Sequence, residues 1–388
     1  MYKVDNFING EASIISSESS SIINPSYGTE IGEVLYATKE TANAAVECAY
    51  EASKAWAKTG LSFRAELILK FRQGIINRSS EIVDICVSEA GKTRPDAEAE
   101  LDRAVQALTH AAGVQHFLPT NYSQNVAGGI DIADLRFPIG VVAGVGPFNF
   151  PILIPILHSS MALVTGNTYI AKPSEKVPSI SRLYADIWKE AGLPDGCYNV
   201  INGEKEIVEL LVRHKKVDGL AFIGSTAAAK SLKMLGVEHN TKVQALGGGK
   251  NHMIVLPDAD LDMSADAAVS ASFGAAGQRC MAVSVVVAVG DIADELISKI
   301  QLRMPDLVMG VTDDEKTQLG PVISQVNRDR IYSFIESAEP DGASLVVDGR
   351  HRSNSLKGCF VGPTLIDNVR PGMQVYENEL FGPDDDEL

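Results

Sequence analysis

Basic residues are the minority in this 388-residue chain: Lys and Arg total 34 against 50 Asp and Glu, a formal net charge of −16. So negative a field repels phosphate, so no nucleic-acid-binding or anionic-membrane surface is expected. A single anionic cofactor held by local backbone dipoles stays open. The five cysteines (Cys48, Cys86, Cys197, Cys280, Cys359) include no Cys-x-x-Cys pair and are odd in number. That argues against a disulfide framework and a structural zinc site, and suits a reducing, cytoplasmic setting. The seven histidines lack metal-ligand spacing, so no metal is expected. No Gly-x-Ser-x-Gly elbow is present. The N-terminus has neither a signal core nor an Arg-rich transit stretch. No apolar run reaches the ~20 residues of a membrane helix, the closest being interrupted by Pro147, Asn149 and Pro151. Repeats and low-complexity linkers are absent too.

What is there is globular: 45% hydrophobic and 22% charged residues, enough for two or three domains. The first part reads as helices, over 41–57, 61–77 and 94–113, the last with Leu101, Ala104, Val105, Leu108 and Ala112 on one face. Residues 119–137 read as an excursion of loop and extended chain. From Gly140 short apolar strands alternate with amphipathic helices: strands at 140–146, 168–171, 197–201, 219–223 and 242–246, helices at 151–165, 178–191, 205–214 and 226–235. That rhythm predicts βαβ units and a parallel sheet. A second α/β block follows, with strands at 253–256, 283–289 and 344–347 and helices at 261–273, 292–303 and 324–337. Two α/β domains are expected to meet near residue 248.

Chemistry concentrates at strand ends. Phe222-Ile-Gly-Ser-Thr226 is a strand running into a helix, either a plain turn or a phosphate cradle with Ser225 and Thr226 hydroxyls. Lys172-Pro-Ser-Glu175 ends an earlier strand, where a Lys and a Glu suit ribose hydroxyls or simply solvent. Cys280 closes a Gly-rich segment, Phe273-Gly-Ala-Ala-Gly-Gln-Arg-Cys280, and Arg279 favours its thiolate; the plainer alternative is a small buried hydrophobe. Asp258-Ala-Asp-Leu-Asp262 resembles a calcium loop, but Met263 and Val269 stand where Gly and Glu are needed, so helix capping is expected.

Six segments in order, Pro147-Phe-Asn-Phe-Pro151, Lys172-Pro-Ser-Glu175, Phe222-Ile-Gly-Ser-Thr226, Leu246-Gly-Gly248, Gly277-Gln-Arg-Cys280 and Glu379-Leu-Phe-Gly-Pro383, resemble the aldehyde dehydrogenase superfamily. Val243–His252 and Gly277–Ala282 are more narrowly similar to its CoA-acylating methylmalonate-semialdehyde dehydrogenase branch. The resemblance implies a Rossmann-type parallel-sheet cofactor domain (1–118 and 138–247), an oligomerisation excursion (119–137) and an α/β catalytic domain (248–388). The family continues past Phe-Gly-Pro, so the catalytic domain is expected to be incomplete here. It implies that Cys280 attacks the aldehyde carbon and that Asn149 and the Cys280 N–H hold the oxyanion. NAD would lie on Phe148, Lys172, Glu175, Ser225, Glu379 and Phe381; Glu175 disfavours a 2′-phosphate and hence NADP. Arg103 and Arg279 would bind the substrate carboxylate. The helical pattern puts Arg103 off the apolar stripe, where solvated surface is the alternative.

Hydrolytic relatives carry a Glu at the position of Ala245 as base for the deacylating water; a methyl activates nothing. The thioacyl enzyme is therefore expected to pass to coenzyme A, giving propionyl-CoA or acetyl-CoA and CO2 from a semialdehyde, in valine or inositol breakdown. The alternatives are a hydrolytic aldehyde dehydrogenase and a catalytically silent NAD-binding remnant. Family partners are small molecules and identical subunits, as a homodimer or homotetramer.

Overall fold

The computed structural model describes residues 1–380 except Ser17, Pro119, Asn354 and Ser355. Five short strands open the chain: β1 (Tyr2–Val4), β2 (Asn6–Ile8), β3 (Glu11–Ser13), β4 (Ser19–Asn24) and β5 (Thr29–Leu35). Sequence periodicity reads this first part as helices, because strands of three residues are too short to show an alternation. Helices α1 (Lys39–Trp56), α2 (Leu61–Asn77), α3 (Ser79–Ala90), α4 (Arg94–Ala112) and α5 (Val114–Phe117) follow. Thr38 caps α1 by accepting from Thr41 N, and Thr93 caps α4 by accepting from Asp96 N. A hairpin, β6 (Tyr122–Ala127) and β7 (Ile130–Ala133), then stands out with every residue exposed.

The centre is β8 (Val141–Val145), α6 (Leu153–Val164), β9 (Thr168–Lys172), α7 (Ser179–Glu190), β10 (Tyr198–Val200), α8 (Lys205–Arg213), β11 (Gly219–Ile223), α9 (Thr226–His239) and β12 (Lys242–Leu246). These strands form a parallel sheet ordered β12-β11-β8-β9-β10, and β2 and β3 extend it antiparallel beyond β10. Side chains alternate between its faces. Tyr169, Ala171, Tyr198 and Val200 join the core shared with α2, α3, α4, α6 and α7. Val141, Ala143, Val145, Ile170, Leu220 and Phe222 face α1, α8 and α9. The result is a doubly wound three-layer α/β fold.

Helices α6 and α7 start without a side-chain cap of their own. Two buried glutamates from other helices supply one. Glu100 Oε1 in α4 accepts from Ile152 N and Leu153 N at 2.8 Å each, and Glu89 Oε2 in α3 accepts from Ser179 N at 3.3 Å. Each carboxylate meets orphan N–H groups at the positive end of a helix.

After residue 247 come β13 (His252–Val255), α10 (Leu261–Phe273), β14 (Val285–Ala288), α11 (Ala293–Arg303), α12 (Gln325–Ala338), β15 (Ser344–Val347), α13 (Arg350–Ser353), β16 (Leu365–Asp367) and α14 (Gln374–Glu377). β13 and β14 pair in parallel, β15 and β16 antiparallel. Asp260 caps α10, so the Asp258–Asp262 stretch is a helix start. Among the described residues no helix is long and apolar enough to cross a membrane.

Candidate active site

β8 is the topological switch point. The chain steps from β8 to β9 to β10 on one side, then returns to place β11 and β12 on the other. In such sheets the crevice beyond the carboxyl ends of the strands receives ligands. Four of the anticipated segments leave the sheet at that edge: Phe148 and Asn149 after β8, Lys172 to Glu175 at the end of β9, Ser225 after β11, and Gly247 to Gly249 after β12. Lys172 and Glu175 pair at 3.6 Å, with the lysine almost fully buried. Burial raises the Glu175 carboxyl, but the Lys172 ammonium and neighbouring donors outweigh it and hold the group below its ordinary value. Ser225 Oγ accepts from Ala228 N at 3.2 Å, capping the 14-residue α9 and fixing its N-terminus at the crevice. Phe148 is buried, with Lys176 Nζ 5.9 Å from its ring centre.

The cysteine segment follows α10. Ala275, Ala276 and Gly277 take left-handed backbone in succession, with φ of 51°, 54° and 73°. The buried Gln278 side chain then anchors the loop, accepting from Ile323 N at 2.9 Å. Asn149 Nδ2 donates to the Gln278 carbonyl at 3.0 Å, so the strand-end amide and the cysteine loop are in direct contact. Past the cysteine, Asn251 Nδ2 donates to the carbonyls of Cys280 at 2.9 Å and Ala282 at 2.8 Å. Cys280 is the one exposed cysteine of the five. Burial pushes the thiols of Cys48 and Cys197 up to about 11 and about 12, and raises those of Cys86 and Cys359 as well. A deprotonated nucleophile is disfavoured at all four.

Arg279 pairs with Asp96 near the start of α4. Its guanidinium packs against Gly274, where a Cβ would come within 2.6 Å of Nη1. Arg103 is exposed and donates to Gln106 at 3.2 Å. The structure does not bring it into contact with Arg279. Seven residues past Asp96, it lies on the same face of α4, roughly 10 Å further along. Ala245, in β12, packs with Val243 against the core shared with α1, α8 and α9. The half-buried Glu379 sits against Gly248, and burial raises its carboxyl. Lys250 Nζ donates to the carbonyls of Val375 at 2.7 Å and Asn378 at 2.6 Å, fastening the segment before Glu379 to the end of β12. Phe381 lies outside the described residues. Asp96, Glu100 and Asn251, which hold these parts in place, had no signal in the sequence beyond ordinary polar residues.

The carboxyl edge of a doubly wound sheet, with an exposed cysteine two residues beyond the carbonyl that the Asn149 amide holds, defines an α/β enzyme built on a nucleotide-binding fold. The chain belongs to the aldehyde dehydrogenase family, whose profile matches residues 14–383. It is 39% identical over 380 residues to malonate-semialdehyde dehydrogenase 2 of Geobacillus thermodenitrificans, covering 97% of this chain and 79% of that protein. A crystal structure of methylmalonate-semialdehyde dehydrogenase from Oceanimonas doudoroffii superposes with a TM-score of 0.96 at 40% identity, over 99% of this chain and 79% of that one. A second, described as a methylmalonate-semialdehyde dehydrogenase from Sinorhizobium meliloti 1021 complexed with NAD, gives 0.95 at 38% identity over the same shares.

Proposed function

We propose that the protein oxidises malonate or methylmalonate semialdehyde with NAD and passes the acyl group to coenzyme A, releasing CO2 and acetyl-CoA or propionyl-CoA. The observation that carries this reading is the Asn149–Gln278 hydrogen bond, which brings an oriented amide to the loop of the exposed cysteine. Cys280 Sγ attacks the aldehyde carbon. One N–H of the Asn149 amide is fixed on the Gln278 carbonyl; the second N–H, with the backbone N–H of Cys280, receives the developing oxyanion. Donors already oriented need no reorganisation as charge develops.

The residues at the crevice fit a dinucleotide. An ionised Glu175 held beside Lys172 accepts from ribose hydroxyls, and the N-terminus of α9 at Ser225 suits a pyrophosphate. Phe148 and Glu379, with Phe381, complete the set. When bound, NAD supplies the hydride acceptor. Arg279 offers a planar fork to the substrate carboxylate, and Arg103, further along the same helix face, draws the acid in.

Ala245 places no carboxylate beside the thioester, so water lacks a base and the acyl group waits for the coenzyme A thiolate. In this reading residues 1–118 and 138–247 hold the cofactor and 248–388 carry the cysteine. The hairpin within 119–137, with Tyr122, Ile130 and Ile132 exposed, makes the subunit contact. Five free cysteines suit a cytoplasmic setting.

Stopped-flow measurement of NADH tests the proposal. Without coenzyme A we expect a burst of about one equivalent per site and a slow steady state, with coenzyme A raising only the latter. A linear course indifferent to coenzyme A overturns it in favour of hydrolysis.

A further inference from the structure

Asn149 and Cys280 come from chain segments 131 residues apart, and the same short piece of a third segment touches both sides. Lys92 lies just before α4, ahead of its cap Thr93, and Asp96 and Glu100 stand one helical turn apart in the first turns of the helix. Glu100 Oε1 accepts from Ile152 N and Leu153 N at 2.8 Å, immediately after the Asn149 turn. Its Oε2 accepts from Lys92 Nζ at 2.6 Å, with both side chains buried. Lys92 Nζ also lies 4.3 Å from the ring centre of Phe150, the residue next to Asn149. Tyr184 Oη donates to the Ile152 carbonyl at 3.0 Å, closing the far side of the turn. Between Lys92 and Glu100, Asp96 reaches the other way. One oxygen pairs with Arg279, the residue before Cys280, and the other accepts from Thr93 Oγ1 at 3.0 Å.

A buried carboxylate aimed at two helix N–H groups, and neutralised by a buried ammonium stacked on the adjacent ring, over-determines the Asn149 turn. A buried ion pair is by itself weak evidence of stability, and here each partner also grips the Asn149 turn, so the pair is read as a device of geometry. We propose that Lys92, Asp96 and Glu100 are positioning residues that set the separation of the Asn149 amide and Cys280. Glu100 and Lys92 hold the amide side and Asp96 holds the thiol side. None of the three touches the reacting atoms. The proposal rests on the reading of Asn149 and Cys280 as oxyanion donor and nucleophile.

The test is the rate of the NADH burst at saturating NAD, with propanal as an uncharged aldehyde so that recognition of a carboxylate plays no part. The double variant K92M/E100L removes acceptor and charge together and leaves no unpaired ion in the core. Its burst is expected to slow at least about tenfold, the scale at which misplaced groups lose rate. Its NAD affinity, set at Lys172, Glu175 and Ser225, is expected to stay within about twofold. K92M/E100Q keeps an oxygen for both N–H groups and is expected to hold the burst within about threefold of wild type. Asp96→Ala, at a part-exposed pair that does not threaten the core, is expected to slow the burst at least about fivefold. Its result decides the matter should K92M/E100L fail to fold.

A wild-type burst rate in K92M/E100L or in Asp96→Ala overturns the proposal. So does a K92M/E100Q burst as slow as that of K92M/E100L, since the oxygen that receives the Ile152 and Leu153 N–H groups would then not be what places the Asn149 amide. Asn149→Ala separates the oxyanion role from the positioning role. If it leaves the burst unchanged, the oxyanion reading fails; if it slows the burst while K92M/E100L does not, only the positioning role fails.

Discussion

The Glu379 carboxylate occupies the space that a side chain at residue 248 would need: a Cβ built on Gly248 overlaps Glu379 Oε2. The end of β12 and the segment after α14 therefore meet at van der Waals distance only because residue 248 has no side chain.

Gly248→Ala should push Glu379 off the end of β12. Glu379 is proposed as a contact to NAD, so the KM for NAD should rise about tenfold while thermal stability changes little. Steady-state NAD titrations alongside a melting curve check this, and an unchanged KM would remove Glu379 from the cofactor site.

Iodoacetamide should label Cys280 first, because the other four thiols are wholly or partly buried and their deprotonation is disfavoured. Peptide mapping at short times reads the order. Cys280→Ser should abolish NADH formation and leave NAD binding nearly intact; a wild-type rate in that variant would mean the nucleophile lies elsewhere.

Substrate charge separates the two arginines. Arg103→Leu should weaken malonate semialdehyde use by ~1 kcal/mol, the worth of an exposed charge contact, and spare propanal. Arg279→Leu should slow both aldehydes, since its guanidinium also ties the cysteine loop to Asp96. The loss with the acid should exceed the loss with propanal by ~1.5–3 kcal/mol, the worth of a charge-assisted bond. Equal kcat/KM losses for the two aldehydes would leave Arg279 as a loop anchor only.

Glu89 gives the fold a pH dependence. Burial pushes its carboxyl from about 4.5 up to about 7, although Tyr2 Oη at 2.6 Å and Ser179 N at 3.3 Å donate to it. Between those two values the folded protein binds more protons than the unfolded chain, so stability falls as pH rises through the window, by ~3 kcal/mol in total. Glu89→Gln should escape this loss. Denaturant melts at pH 5 and pH 8 should show the variant gaining on wild type at the higher pH; a gap independent of pH would show that Glu89 titrates normally.

The strand ends were legible because their motifs are contiguous and sit where a βαβ rhythm already placed the carboxyl edge. The opening strands were not. Tyr2–Val4, Asn6–Ile8 and Glu11–Ser13 are too short to show a period, and Phe7 pairs with Val200, far away in the chain. The expected helix 226–235 runs on to His239. Gly236 lies buried inside the helix, where a side chain would strike Val243, and the left-handed Asn240 makes the actual stop. The expected strand 283–289 begins only at Val285, since the Asn251 carbonyl takes the N–H groups of Ser284 and Val285. Asp96 and Glu100 read as ordinary helix acids until their partners, 183 and 52 residues away, are in view.

The left-handed run at Ala275 and Ala276 makes the placing of the thiol depend on contacts from far along the chain. Each alanine in that conformation costs roughly 1–2 kcal/mol, so the loop has no reason to form from its own sequence. It takes shape only when the N–H of Ile323, 45 residues on, meets Gln278, and when Asn251 grips the carbonyls of Cys280 and Ala282. The sheet and its helices can therefore be complete while the thiol is still unplaced. Catalytic competence is thus a more fragile property than the fold that carries it, and the NADH burst is expected to fail at a lower denaturant concentration than the far-UV circular dichroism signal.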